Sequence, residues 1–165
     1  MRTSFFRILV SVSLVFTLIS CSATEEDTLT TKKAVEISYN YSEDDIELAR
    51  VINEYRESIG LNKLELANYV SLKSEQHDDY MIKANEASHA NFPERAEAIT
   101  NALGAKRVNE NVAYNFATAK SVLNAWLASP SHRANIEGDF THFGIAIKAS
   151  PTTGKKYYTN IFIKI

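Results

Sequence analysis

The chain has 165 residues, 18 of them basic and 20 acidic, for a formal net charge of −2, and it holds one cysteine. It contains no basic cluster, which excludes the electrostatic footprint of a nucleic-acid-binding protein. A lone cysteine excludes an internal disulfide and a thiolate metal cage, so stability has to come from a conventional apolar core.

The first element is a leader. Arg2 and Arg7 give it a positive start, and the run from Ile8 to Ile19 is apolar except for Ser and Thr. That run falls short of the ~20 residues of a permanent membrane span and fits the core of a secretory signal. It closes on Leu18-Ile19-Ser20-Cys21, which resembles the lipobox of bacterial lipoproteins. The resemblance implies that residues 1–20 are cleaved off and that Cys21 is acylated, small Ser20 admitting the peptidase and the thiol carrying the lipid. Two or three acyl chains, at about 0.8 kcal/mol per buried CH₂, hold such a product on a membrane. An uncleaved anchor, or an ordinary signal with a chance cysteine, is the alternative. Without the leader, 16 basic residues stand against 20 acidic ones, a net charge of −4.

Residues 21–42 read as the lipidated cysteine and a tether rich in Ser, Thr and charge, with a reach on the order of 25 Å. Glu25-Glu26-Asp27 resembles the acidic signals that export some lipoproteins to the cell surface; a solvated linker is the other reading. The expected setting is the cell envelope, on the outer membrane or exposed at the surface. The membrane is the expected partner, and the protein is expected to be a monomer.

Residues 43–165 suit one domain. Ser42-Glu43-Asp44-Asp45 has capping-box spacing, and Ile46, Ala49, Ile52, Tyr55 and Ile59 recur at helical intervals up to Gly60. The pattern predicts a second helix over 66–84, with Val70, Met81 and Ala84 on its apolar stripe. His77 falls on that stripe and is read as a hydrogen-bonded core residue, with a ligand as the alternative. Pro93 suits the first turn of a third helix ending at Gly104. Ala119, Val122, Leu123 and Trp126 mark a fourth, where Trp126 reads as core rather than as a ligand platform. Segments 142–147 and 157–165, split by a Pro151–Gly154 turn, read as a hairpin whose two faces are both apolar enough to be covered. Helices first and a hairpin last argue for an α+β fold.

Three further histidines, His89, His132 and His142, sit at element boundaries, where side chains can converge on a cleft. Glu110, between Asn109 and Asn111, is read as lying in another such segment and as either exposed or paired. Imidazole and carboxylate suit zinc or a similar divalent ion, but the spacing matches no local metal motif. Ser129-Pro130 reads as an N-cap and first turn, which places His132 near the positive end of a short helix and favours its neutral ring. Arg133 pairs with an acid or meets an anionic ligand, the structural role being preferred.

Ordered motifs add a resemblance. Ile52-Asn53-Glu54-Tyr55-Arg56, Ser88-His89, Asn109-Glu110-Asn111-Val112-Ala113, Ala125-Trp126, Ser129 through Ile136, and Phe140-Thr141-His142-Phe143-Gly144 resemble the CAP family in its disulfide-free bacterial branch. The likeness spans roughly 46–163. It implies a three-layer α-β-α sandwich with a small antiparallel sheet and a cleft lined by two histidines and two glutamates. His89, Glu110 and His132 match three of those four positions. Ser129 stands where the second glutamate belongs, and Asn109 replaces a glycine. His142 is the candidate to compensate in the ligand cleft, and His89 with His132 are the candidate metal ligands.

No G-x-S-x-G elbow, H-E-x-x-H motif or free cysteine nucleophile supports a covalent enzyme. Three readings stand. One is a module binding an envelope lipid, polymer or protein in the cleft. The second is a metal-assisted hydrolase of envelope peptides or glycans, with Glu110 as base and His89 and His132 as ligands. The third is a scaffold whose cleft residues only hold the layers together.

Overall fold

A computed structural model describes residues 37–165; Cys21, the leader and the tether up to residue 36 lie outside the described residues. Helix α1 spans Glu43–Ser58 and opens as expected. The Asp45 amide donates to Ser42 Oγ (3.2 Å), and the Ser42 amide donates to Asp45 Oδ2 (2.8 Å). The two-residue strand β1, Glu65–Leu66, takes the residue expected to start the second helix, so α2 runs Asn68–Ala84 and stops at Asn85 in the left-handed region. Helix α3, Phe92–Leu103, carries its proline in the first turn and ends at Gly104, also left-handed.

Strand β2, Arg107–Tyr114, follows where the sequence pattern suggested only a boundary segment. Helix α4, Ala119–Ala128, has a Thr118/Ser121 capping box, and α5, Pro130–Ile136, follows directly. Ser129 stands at the expected N-cap of α5, but its side chain makes no capping bond; its Oγ lies 3.3 Å from Ser131 Oγ. Strands β3, His142–Ala149, and β4, Lys156–Lys164, form the expected hairpin.

Among the described residues the strands make one sheet in the order β1-β3-β4-β2, antiparallel except where β1 joins β3. Alternation along β4 explains the layers. Tyr158 and Phe162, with Phe143 and Ile145 of β3, pack against Leu48 and Ile52 of α1, Trp126 of α4 and Ile136 of α5. On the other face Ile161 and Ile163 meet Val70 of α2 and Ile99 of α3. Both faces are covered, and the three layers follow. Gly144 permits the approach of α2, since a Cβ there would lie 2.3 Å from the Ser71 amide nitrogen.

The polar residues of α1 hold the joints. Asn53 Nδ2 donates to the Leu64 carbonyl at 2.9 Å, and its Oδ1 accepts from the Leu64 amide at 2.8 Å. Buried Arg56 donates to the carbonyls of Asn62, Ile136 and Gly138, so it ties α1 to the end of α5. Burial lowers its pKa, with Asp139 opposing the shift, and three carbonyl acceptors make that burial tolerable.

Candidate functional site

The site is built on β2. Glu110 faces the α2–α3 layer, on the same side of the strand as Val108 and Val112, and its side chain is only 1% exposed. A buried carboxylate needs compensation, and Arg95 of α3 supplies it. Arg95 Nε and Nη2 donate to Glu110 Oε2 at 3.0 and 2.7 Å, and Nη2 also reaches Oε1 at 2.9 Å. The remaining arm, Nη1, donates to the Ala90 carbonyl at 2.7 Å, which fixes the loop that carries His89. His89 Nδ1 lies 2.9 Å from Glu110 Oε1 while the side chain stays 49% exposed. In the neutral ring, donation from Nδ1–H to the carboxylate leaves the lone pair on Nε2.

His77 is buried, as expected, and it also serves the site. Its Nε2 lies 2.7 Å from the Ser88 carbonyl, so the ring pins the residue next to His89, and it comes within 3.9 Å of Glu110 Oε1. Burial lowers the His77 pKa and keeps the ring neutral. Nε2 therefore carries the proton, and Nδ1 is left buried without a partner among the described residues.

His132 arrives on α5, and its ring centroid lies 6.4 Å from that of His89. Its pKa is lowered first by burial and then by His89, so the neutral form expected from the helix end has a different main cause. A set of asparagines positions it. Asn111 donates to the His132 carbonyl at 3.1 Å, and Asn135 donates to the Glu110 carbonyl at 3.2 Å and to Asn111 Oδ1 at 2.8 Å. Asn109 donates to Asn135 Oδ1 at 2.7 Å. The outer edge of β2 is thus stitched to α5, with Trp126 Nε1 adding a bond to the Val112 carbonyl at 3.0 Å. Arg133 takes the structural role, donating to the Leu127 carbonyl at 2.7 Å.

The structure therefore brings His89, Glu110 and His132 together, and it leaves His142 out. His142 starts β3, two strands away from β2, with Nδ1 2.9 Å from Thr141 Oγ1 and Nε2 3.5 Å from Glu65 Oε2. It does not compensate for Ser129. Glu110 is also not at an element boundary but mid-strand, where the Val108-x-Glu110-x-Val112 alternation puts three side chains on one face, Glu110 buried and the two valines partly so.

A zinc-based reading meets a shortfall here. His89 and His132 offer two imidazoles, and Glu110 stands behind His89 as an orienting carboxylate, whereas a catalytic zinc takes three protein ligands. Among the described residues no group of three or more His, Cys, Asp or Glu is placed to hold a metal ion. The residues present do not fit a resident zinc, and no chemistry is routed through one.

Comparison with known proteins agrees with this architecture. The family model described as "CAP: Cysteine-rich secretory protein family" matches residues 49–162. The membrane protein YlbC of Bacillus subtilis is 30% identical over 118 residues, 68% of this chain, and the chain spans 32% of that relative's length. Among solved structures, an outer surface protein of Borrelia burgdorferi superposes with a TM-score of 0.68 at 22% identity, covering 76% of this chain and 96% of that one. An extracellular protein of Bacillus anthracis containing an SCP domain gives 0.65 at 21% identity, over 78% of this chain and 45% of its own. Those two likenesses bear on the fold alone. With the motifs in order, the three-layer fold in place and the family model covering most of its length, this chain belongs to the CAP family.

Proposed function

We propose that the chain is a lipid-anchored recognition module of the cell envelope, which takes a ligand in the His89–His132 cleft and does not hydrolyse it. One observation carries the choice over the hydrolase: the Glu110 carboxylate is already committed. A general base has to reach a substrate proton or a water. Both Glu110 oxygens accept from Arg95, and Oε1 also meets His89, in a side chain closed to solvent. Glu110 is left to orient His89, whose Nε2 lone pair is then available at the cleft beside the neutral ring of His132. Two such acceptors suit a ligand that donates hydroxyl or amide hydrogens, whether an envelope polymer, a lipid headgroup or a protein. Attachment is assigned to Cys21, and an envelope setting is supported by relatives described as a membrane protein, an outer surface protein and an extracellular protein.

Modification of His89 by diethyl pyrocarbonate, read by mass spectrometry on the full chain, tests the cleft. Peptidoglycan sacculi, anionic lipid vesicles and envelope protein extract are added separately. Protection of His89 by one of them names the ligand class, and no protection by any sinks the recognition reading. Zinc binding at micromolar concentration, lost in both His89→Ala and His132→Ala, would bring the hydrolase back. His89→Ala itself is expected to leave the melting temperature nearly unchanged, because the ring is half exposed. Intact mass of the detergent-extracted mature N-terminus checks the acylated Cys21.

A further inference from the structure

Between α2 and α3 lies a cavity of about 280 Å³, and His89, Glu110 and His132 are not part of its lining. Helix α2 contributes Gln76, His77 and Tyr80; Asn91, Glu94 and Arg95 come from the loop and first turn of α3. Tyr80 is 42% exposed, and its ring lies nearly parallel to the buried His77 ring with centroids 5.9 Å apart. Asn91 holds a left-handed backbone (φ 58°) at the N-cap of α3, yet its side chain makes no cap bond. His77 Nδ1, in the cavity wall's own residue, has no hydrogen-bond partner.

Charge narrows the ligand. Arg95 is matched by Glu110, which leaves Lys73 against Glu94 around the opening, a balance that favours neither anion nor cation. Planar amides and a carboxylate beside an open aromatic face are the complement of a pyranose ring. Its C–H face stacks, and its hydroxyls both donate and accept. The volume falls near the low end of ligand pockets, ~300 Å³ and upward, room for one ring rather than a chain. We propose that this groove is a subsite for a neutral sugar ring of an envelope glycan. It is separate from the histidine cleft in that none of His89, Glu110 and His132 lines it, although His77 and Arg95 support both.

The test is a titration of the full chain in detergent with cellobiose, chitobiose and maltose, following the Tyr80 ring and His77 imidazole resonances by NMR. A saturable shift of both residues is expected with at least one disaccharide at millimolar concentration, and none with glycerol, which has hydroxyls but no ring. Tyr80→Ala, at an exposed position, should weaken binding by about tenfold. Ala98→Leu, which fills the groove, should do at least as much, with melting curves verifying that both variants are folded. The proposal is overturned by unshifted resonances with all three sugars, by equal shifts with glycerol, or by parental affinity in both variants.

Discussion

The single buried side chain with the clearest thermodynamic consequence is Asp78. It is fully buried, Thr159 Oγ1 donates to its Oδ1 at 2.6 Å, and its Oδ2 has no partner among the described residues. Burial raises its pKa well above 3.8, Asp45 and Asp79 raise it further, and Lys148, which opposes the shift, is held by Asp79 and Glu75. The folded state therefore keeps a proton that the unfolded aspartate releases above 3.8. Stability should fall as pH climbs from there towards the raised value. Asp78→Asn, which cannot ionise, should melt higher than the parent at neutral pH and show a flatter Tm profile between pH 4 and 8; identical profiles would mean Asp78 is ionised in the fold. Arg95 offers the opposite case. Arg95→Met strands the Glu110 carboxylate and should cost about 3–5 kcal/mol in urea denaturation, with much of that returned in an Arg95→Met/Glu110→Leu double variant. Legibility in the sequence divides along the same line. That Glu110 had to be exposed or paired follows from its charge, and His77 from its stripe. Arg95 was hidden, since an arginine in the first turn of an amphipathic helix looks like any solvated one until the strand it faces is known.

At the scale of elements, β2 is what sequence pattern missed, and the reason is physical. Its Arg-Val-Asn-Glu-Asn-Val-Ala-Tyr run lacks apolar alternation on either face because one face spends its central position on Glu110 and the other on Asn109 and Asn111. The strand forms through tertiary pairing with β4 over its whole length and through polar partners on its outer edge. The helices, by contrast, were legible from caps and periodicity, and the hairpin from its turn and its β-branched and aromatic residues. Ser129 shows a limit within that success: Ser-Pro marks the start of α5, but the anchoring falls to Asn135, six residues on. Asn135→Ala removes donors to the Glu110 carbonyl and Asn111 Oδ1 and the acceptor of Asn109. At about 1 kcal/mol net per bond, the loss should be ~2–3 kcal/mol. Hydrogen exchange locates the effect. Amides of α5 should exchange faster while those of α1 hold near their parent rates, and His132 should shift in NMR without being touched. Uniform acceleration across the domain would mean that Asn135 acts on global stability and not on the placement of α5.

For the molecule as a whole, the question is where the fold begins. The expected boundary at residue 43 treats everything before α1 as tether, but residues 37–42 pack onto the domain. Asn68 donates to the Ile37 carbonyl at 2.9 Å and accepts from Tyr41 Oη at 3.0 Å, and Ser71 Oγ donates to Tyr41 Oη at 3.1 Å. Ser71 Oγ in turn accepts from the Ile145 amide at 3.1 Å, on the side of β3 that the short β1 leaves unpaired. The Tyr39 and Tyr41 rings meet edge to face with centroids 4.8 Å apart. Burial and the carboxylates of Asp45, Glu75 and Asp78 push the Tyr39 pKa far above its usual value. Ser71 thus joins the segment to β3, and the segment is bonded to the start of α2 rather than standing off as tether. A chain starting at residue 43 loses these tyrosine contacts together with the Ser42 cap. The cap accounts for ~1 kcal/mol and the two rings for a comparable amount each, about 3 kcal/mol together. For a domain of this size that is a fall in Tm of roughly 10 °C relative to a chain starting at residue 37. Differential scanning calorimetry of the two chains decides it: equal melting temperatures would return residues 37–42 to the tether, while a fall confined to the shorter chain fixes the domain's true start ahead of its first helix.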